Sequence, residues 1–157
     1  MSKMENVTFD EMEIGTSASV TKTITMEEIK LFARVSGDNN PVHLNEEYAK
    51  TTMFKNNISH GFLPASLIST VLGTKLPGAG TIYLKQALKF TKPVFPGDVV
   101  TATATVTQKD DAKKFVTLET IVKNQDDVVV VTGEALVIAP NEKIILDAPA
   151  LPEVEIK

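Results

Sequence analysis

Asp38 and His43 are the two side chains of this sequence that are best suited to acid–base chemistry. They lie five residues apart within the stretch 36–44, which reads SGDNNPVHL. Pro41 fixes its own φ and biases Asn40 away from helical geometry, so the sequence predicts a turn. A turn can bring a carboxylate and an imidazole to one shared water, where one group accepts a proton and the other donates one. These residues are equally compatible with a plain Asx turn beside a half-buried histidine.

A second candidate site lies at Ser59-His60-Gly61, where an apolar helix begins. The first backbone N–H groups of a helix lack intrahelical acceptors and sit at the positive end of its dipole. A thioester carbonyl placed there would be polarised, and a developing enolate would be stabilised. Gly61 permits close approach because it has no Cβ, so we predict that its amide binds the thioester oxygen. His60 is more simply interpreted as a structural hydrogen-bonding residue.

Two serines lie well inside the same apolar helix. Neither occupies the strained turn or the basic environment that a serine nucleophile needs. Ser69 suits a supporting hydrogen-bonding role in the pocket, and the alternative for both Ser66 and Ser69 is a hydrogen bond back to the helix backbone.

The composition bounds the class of protein. A chain of 157 residues, 43% hydrophobic and without a long apolar run, indicates one domain and no membrane span. The N-terminus lacks the apolar segment of a secretory signal, so we expect a cytoplasmic protein. With no cysteine and two histidines, we expect no metal and no cofactor. The net charge of −4 argues against a nucleic-acid partner.

The periodicity of the sequence predicts an α+β domain over residues 1–140. A strand at 17–24 precedes a helix that opens with a Thr25–Glu28 capping box and ends near Gly37. Asn45 caps a short helix, and 61–73 is apolar nearly all round, which requires burial on several sides. Four strands follow, and we expect them to form an antiparallel meander that the first strand joins, at 81–90, 99–108, 115–123 and 128–138. Residues 141–157 are predicted to be a C-terminal extension on the surface.

Several of these motifs together closely resemble the MaoC-like family of (R)-specific enoyl-CoA hydratases. The resemblance covers most of residues 10–138. It rests on the D-x-N-P-apolar-H element and on further motifs downstream, namely Asp38-Asn39-Asn40-Pro41-Val42-His43, Ser59-His60-Gly61, Gly73, Pro77-Gly78, Pro93-Val94-Phe95-Pro96-Gly97-Asp98 and Thr132-Gly133-Glu134-Ala135.

The resemblance implies the hot-dog fold, in which an antiparallel five-stranded sheet wraps around a long apolar helix. It also implies that Asp38 and His43 activate a water, that the Gly61 amide binds the thioester oxygen, and that Ser69 supports the pocket. Asn40 would fix the turn or orient the catalytic pair. Family members dimerise with their sheets side by side, so a homodimer or a larger homo-oligomer is expected.

The implied activity is reversible addition of water to a trans-2-enoyl-CoA to give a (3R)-hydroxyacyl-CoA. Two enzymatic alternatives stay open at the level of sequence: a hot-dog acyl-CoA thioesterase and a (3R)-hydroxyacyl-carrier-protein dehydratase. A non-catalytic acyl-binding module is a third alternative, although such a module has no use for both Asp38 and His43.

Overall fold

The computed structural model describes residues 2–157 of the chain. Helices occupy the first half and most of the strands the second, as an α+β domain requires. The strands are β1 (Lys3–Glu5), β2 (Ser17–Thr23), β3 (Ile82–Phe90), β4 (Val99–Asp110), β5 (Phe115–Lys123), β6 (Val129–Ile138) and β7 (Ile145–Asp147). The helices are α1 (Met26–Ser36), α2 (Pro41–Leu44), α3 (Glu46–Thr51) and α4 (Phe62–Thr74).

The boundaries of α1 follow from its capping residues, as the sequence predicted. The Thr25 hydroxyl accepts a hydrogen bond from the Glu28 N–H, and the Glu28 carboxylate accepts one from the Thr25 N–H, which completes the capping box. Gly37 ends the helix in the left-handed region at φ 80°, a conformation that glycine adopts without a steric penalty. Asp38 therefore emerges from a fixed helix end.

Helix α4 is the centre of the hydrophobic core. One side of it is fully covered, with Ile68, Val71 and Leu72 each at most 2% exposed. The inward residues of β4 pack against it, and they alternate with threonines that face the other side of the sheet. Burying an aliphatic side chain of this size contributes about 1.5–3 kcal/mol, so the sheet is held on α4 by several such contacts. The predicted hot-dog arrangement is confirmed.

The order of the strands differs from the predicted meander. The five-stranded sheet runs β2-β4-β5-β6-β3, so β3 pairs with β6 at one edge and not with β4. The reason lies in residues 91–98, which contain two prolines and do not form a hairpin. Val94 is buried within this segment, and its carbonyl accepts a hydrogen bond from the Ser59 N–H at 2.7 Å. The connection therefore crosses the start of α4 before β4 begins.

The two ends of the chain are joined on the surface. Strand β7 pairs antiparallel with β1, so residues 145–147 of the predicted extension are hydrogen-bonded to the domain. Buried Asn6 donates to the carbonyls of Ala79 and Glu142 and accepts from the Ile144 N–H. Lys143 forms ion pairs with Glu5 and Glu11. Within residues 2–157, none of the helices has the length and apolar character needed to cross a lipid bilayer.

Candidate active site

The predicted turn between Asp38 and His43 contains one short turn of helix, α2. The Asn40 side chain caps this helix by accepting from the Val42 N–H at 3.2 Å. The Asn40 N–H in turn donates to the Asp38 carboxylate at 3.1 Å. One amide residue thus fixes both the start of α2 and the direction of the carboxylate. The predicted role of Asn40 in orienting the Asp38–His43 pair stays a prediction.

The hydrogen bond of His43 determines which of its nitrogens is free. His43 is 7% exposed, and its Nδ1 lies 2.8 Å from the Ile58 carbonyl oxygen. A carbonyl only accepts, so neutral His43 carries its proton on Nδ1 and leaves an unprotonated Nε2. Burial lowers the pKa of His43 below the ordinary value of 6.5 and outweighs the hydrogen bond that His43 donates to the Ile58 carbonyl, which raises the pKa. The imidazole is therefore neutral at pH 7 and able to accept a proton.

Asp38 and His43 face one another across a distance that a water can bridge. A carboxylate oxygen of Asp38 and a ring nitrogen of His43 lie within 4.8 Å of one another. Two hydrogen bonds of ordinary length, about 2.8 Å each, span that separation. Asp38 is exposed whereas His43 is buried, so the pair lies at the boundary between solvent and the interior. The arrangement is suited to holding one water between a carboxylate and a neutral imidazole.

Gly61 lines a cavity of about 550 Å³. Gly61 is the N-cap residue of α4, and its N–H finds no acceptor within residues 2–157. The ring of Phe90 covers the glycine so closely that a Cβ built there would lie 2.7 Å from Phe90 Cδ1. The cavity wall is mostly apolar and includes His43, Phe54, Ile58, Ser59, Pro64, Val94, Val130 and Val131. Gly61, whose N–H has no acceptor within residues 2–157, and His43 therefore line the same apolar cavity.

The predicted serines do not lie in this cavity. Ser69 is exposed on α4, about two turns beyond Gly61, and is not part of the cavity wall. Its predicted role in supporting the pocket stays a prediction. Ser66 donates to the Leu63 carbonyl at 2.6 Å, which is the hydrogen bond to the helix backbone that the sequence allowed.

His60 lies closer to Asp38 and His43 than its interpretation as a structural residue suggested. Its ring stacks on that of His43 with centroids 3.8 Å apart, and its Nε2 lies 3.0 Å from the Asp38 carbonyl oxygen. The hydrogen bond agrees with a structural role, but the stacking was not predicted. No sequence signal links the two rings, because they are brought together only when α4 docks against the turn.

One potential metal-binding atom from each of Asp38, His43 and His60 lies within 4.8 Å of the other two. We therefore asked whether these residues could hold a metal ion. The two imidazole planes are nearly parallel, at 28° to one another. Ring lone pairs lie in the ring plane, so stacked rings direct them side by side and not toward one ion about 2 Å from each nitrogen. The donor arrangement therefore does not fit a metal held by both histidines.

The fold and the site together define a hot-dog enzyme domain with a carboxylate–imidazole pair beside an apolar cavity. The family model for the MaoC-like domain matches residues 9–128, and the chain belongs to this family.

Relatives of known activity cover nearly the same length. The chain is 53% identical over 132 residues to the (R)-specific enoyl-CoA hydratase of Rhodospirillum rubrum. The matched residues cover 84% of this chain and 91% of that protein. It is 46% identical over 129 residues to the enzyme of the same name from Aeromonas caviae, and the matched residues cover 82% of this chain and 96% of that protein. The unliganded R-hydratase PhaJ1 of Pseudomonas aeruginosa superimposes with a TM-score of 0.94 at 45% identity, covering 99% of this chain and all of that one.

Proposed function

We propose that this protein is an (R)-specific enoyl-CoA hydratase, a hydro-lyase that adds water reversibly to trans-2-enoyl-CoA thioesters. The observation that carries the proposal is the pair of Asp38 and His43, close enough to share a water, in which the imidazole has an unprotonated nitrogen and lines an apolar cavity that Gly61 also lines. The names of the relatives from Rhodospirillum rubrum and Aeromonas caviae support both the substrate class and the stereochemistry.

The mechanism assigns one task to each group. The Gly61 N–H binds the thioester carbonyl oxygen, which withdraws electrons from C3 of the enoyl group and stabilises the enolate that follows. Asp38 and His43 hold a water against C3. His43 Nε2 takes a proton from that water as its oxygen bonds to C3, and the imidazolium returns a proton to C2 on the same face. Asp38 orients the water and stabilises the transient positive charge on His43.

The cavity wall suits an acyl chain and a thioester. Ile58, Pro64 and Val131 present apolar surface, which favours burial of a hydrocarbon chain. Lys92 lies at the same cavity as a cation that can meet the anionic part of a coenzyme. A thioester placed between these two regions has its reacting carbons beside His43.

The proposal is tested with purified protein and crotonyl-CoA. Hydration removes the absorbance of the conjugated enoyl group without releasing a thiol, and chiral analysis of the product should show (3R)-hydroxybutyryl-CoA. A thiol reagent in the same assay detects hydrolysis. Release of free thiol would favour the thioesterase, and an (S) product would overturn the stereochemical assignment. Activity confined to enoyl groups on a carrier protein would favour the carrier-protein dehydratase.

We infer further that the protein works as a homodimer or a larger homo-oligomer that pairs along β3. The two edges of the sheet differ in character. Strand β2 carries Ser, Thr and Lys on its exposed positions, whereas β3 exposes Ile82, Leu84 and Phe90 at 44–55% of their surface. An exposed apolar edge with free backbone groups favours pairing with another strand.

A pair of lysine substitutions compares the two edges. Leu84→Lys should convert an oligomer to monomers in sedimentation velocity experiments, because it places a charge in the inferred interface. Ser19→Lys on β2 is the matched control and should leave the oligomer intact. The inference fails if the unmodified protein sediments as a monomer or if both variants behave alike.

A further inference from the structure

His60 occupies the middle of a stack of three rings. On one side its ring lies over His43 at 3.8 Å between centroids, and on the other it meets Phe32 of α1 at 4.8 Å with the planes tilted by 50°. His60 is 3% exposed, so the stack lies inside the protein. Through it, α1, α2 and the start of α4 are fixed relative to one another.

The same ring is bonded to the backbone of the other member of the catalytic pair. His60 Nε2 lies 3.0 Å from the Asp38 carbonyl oxygen. A carbonyl oxygen only accepts, so His60 Nε2 carries a proton. His60 thus contacts the imidazole of His43 with its face and the backbone of Asp38 with its edge.

The second nitrogen of His60 indicates the charge of the ring. Among residues 2–157, His60 Nδ1 is the one buried side-chain polar atom without a hydrogen-bond partner. A protonated Nδ1 would leave an unsatisfied N–H, and a full positive charge, in the interior, which is more costly than an unpaired nitrogen lone pair. The neutral form protonated on Nε2 is therefore the one that this environment accepts.

We propose that His60 is a positioning residue that acts as a neutral ring: it holds Asp38 and His43 at a common water and places no positive charge against His43 as that imidazole accepts a proton. The inference rests on the proposed hydratase function. His60 packs against the face of His43 and is not itself part of the cavity wall, so its effect on the reaction passes through His43 and Asp38. A cationic His60 would oppose proton uptake by its neighbour, because like charges at stacking distance repel. A neutral ring instead presents its π face to the imidazolium that forms on His43.

Two substitutions separate the two contacts. His60→Phe keeps the aromatic stack and removes the hydrogen bond to Asp38, whereas His60→Gln keeps an N–H donor and removes the stack. We expect His60→Phe to lower kcat on crotonyl-CoA by on the order of 10²-fold with little change in KM, as misplacement of a catalytic group does. The titratable groups that face His43 are His60 and Asp38. Because loss of the stack exposes His43, His60→Gln should move the acid limb of the kcat/KM profile to higher pH.

A nitrogen NMR spectrum of the unmodified protein tests the charge of the ring without any catalysis. At pH 7, His60 should be neutral with its proton on Nε2, and His43 neutral with its proton on Nδ1. Leu118→Val, a change in the buried part of β5 away from the cavity wall, controls for a general loss of stability. It should lower the melting temperature and leave kcat and the pH profile unchanged.

Two results would overturn the inference. One is a doubly protonated His60 at pH 7; the other is a melting temperature lowered in both His60 variants with kcat and the pH profile unchanged. These failures are distinct from a failure of the proposed function. If the unmodified protein does not hydrate enoyl thioesters, the proposed function falls, while the NMR spectrum and the His43 titration in the variants still decide whether His60 sets the state of its neighbour.

Discussion

At the scale of single residues, the two largest influences on the pKa of His43 are burial and its hydrogen bond to the Ile58 carbonyl, which act in opposite directions. Burial lowers its pKa below 6.5, while the Ile58 carbonyl raises it by binding the Nδ1 proton. Burial is the larger effect, so the neutral form persists below the pH at which a free histidine becomes charged. We expect the acid limb of kcat/KM against pH to fall below 6.5, with activity lost as pH drops through the lowered pKa. An acid limb at or above 6.5 would show that the form assigned to His43 is wrong.

The turn that carries Asp38, Asn40 and His43 could be predicted from the sequence, because its geometry is local. The turn spans six residues and is determined by Pro41 and by the Asn40 side chain that caps α2. The hydrogen bonds that fix it join residues close together in sequence. The stack of His60 on His43 could not be predicted in the same way. It depends on the position of α4 relative to α2, which is set by packing and not by any pattern in the residues between them.

At the scale of elements, the two ends of α4 show why glycine is needed at one position and not at another. Gly61→Ala would push a methyl group against Phe90, where a Cβ lies 2.7 Å from the ring. Either the start of the helix moves, and the amide assigned to the thioester oxygen with it, or the Phe90 ring moves and reshapes the cavity around that amide. We expect on the order of a 10²-fold loss in kcat on crotonyl-CoA, as for other losses of one oxyanion donor.

Gly73→Ala is the matched control in the same helix. A Cβ at Gly73 meets nothing within 4 Å, and its backbone does not lie in the left-handed region. Replacing an exposed helical glycine by alanine stabilises a helix by about 0.5–1 kcal/mol. Gly73→Ala should therefore raise the melting temperature and keep full activity. Equal losses of activity in both variants would mean that the effect arises in the helix as a whole and not at the Gly61 amide.

The elements themselves were largely predictable, but their order in the sheet was not. Short stretches of sequence determine the alternating burial along β4 and β5, and they also determine the capping box of α1. Strand β3 lies beside β6 because residues 91–98 cross over the start of α4, and that path depends on the burial of Val94 and on its hydrogen bond with Ser59. Contacts between distant parts of the chain decide such a pairing, so the alternation of β3 alone predicts a strand without predicting its neighbour.

At the scale of the whole molecule, the joined ends of the chain give the fold a pH dependence of its own. The Thr8 backbone N–H and the Lys143 ammonium lower the pKa of Glu11 from 4.5 to about 2. The same pairing, with Glu5 and Glu11, raises the pKa of Lys143. A carboxyl whose pKa is lowered by folding adds stability above its unfolded pKa and loses it as pH falls through the folded value.

Glu11→Gln should therefore lower the melting temperature at neutral pH, and the difference from the unmodified protein should vanish as pH falls from 4.5 toward 2. Because these groups are exposed, added salt should reduce the difference as well. Glu13→Gln is the control, since within residues 2–157 the Glu13 side chain makes no ion pair. A difference for Glu11→Gln that stays constant across the whole pH range would contradict the assignment to this carboxylate.

The central claim is that Asp38 and His43 together activate the water that adds to the enoyl group. The most direct test is the rate of crotonyl-CoA hydration by Asp38→Asn and His43→Ala, measured beside Asp126→Asn, a change in an exposed turn. The claim predicts a fall in kcat of about 10²–10⁴-fold for each of the first two variants and none for the third. If either Asp38→Asn or His43→Ala hydrates crotonyl-CoA at the rate of the unmodified protein, that residue has no part in activating the water.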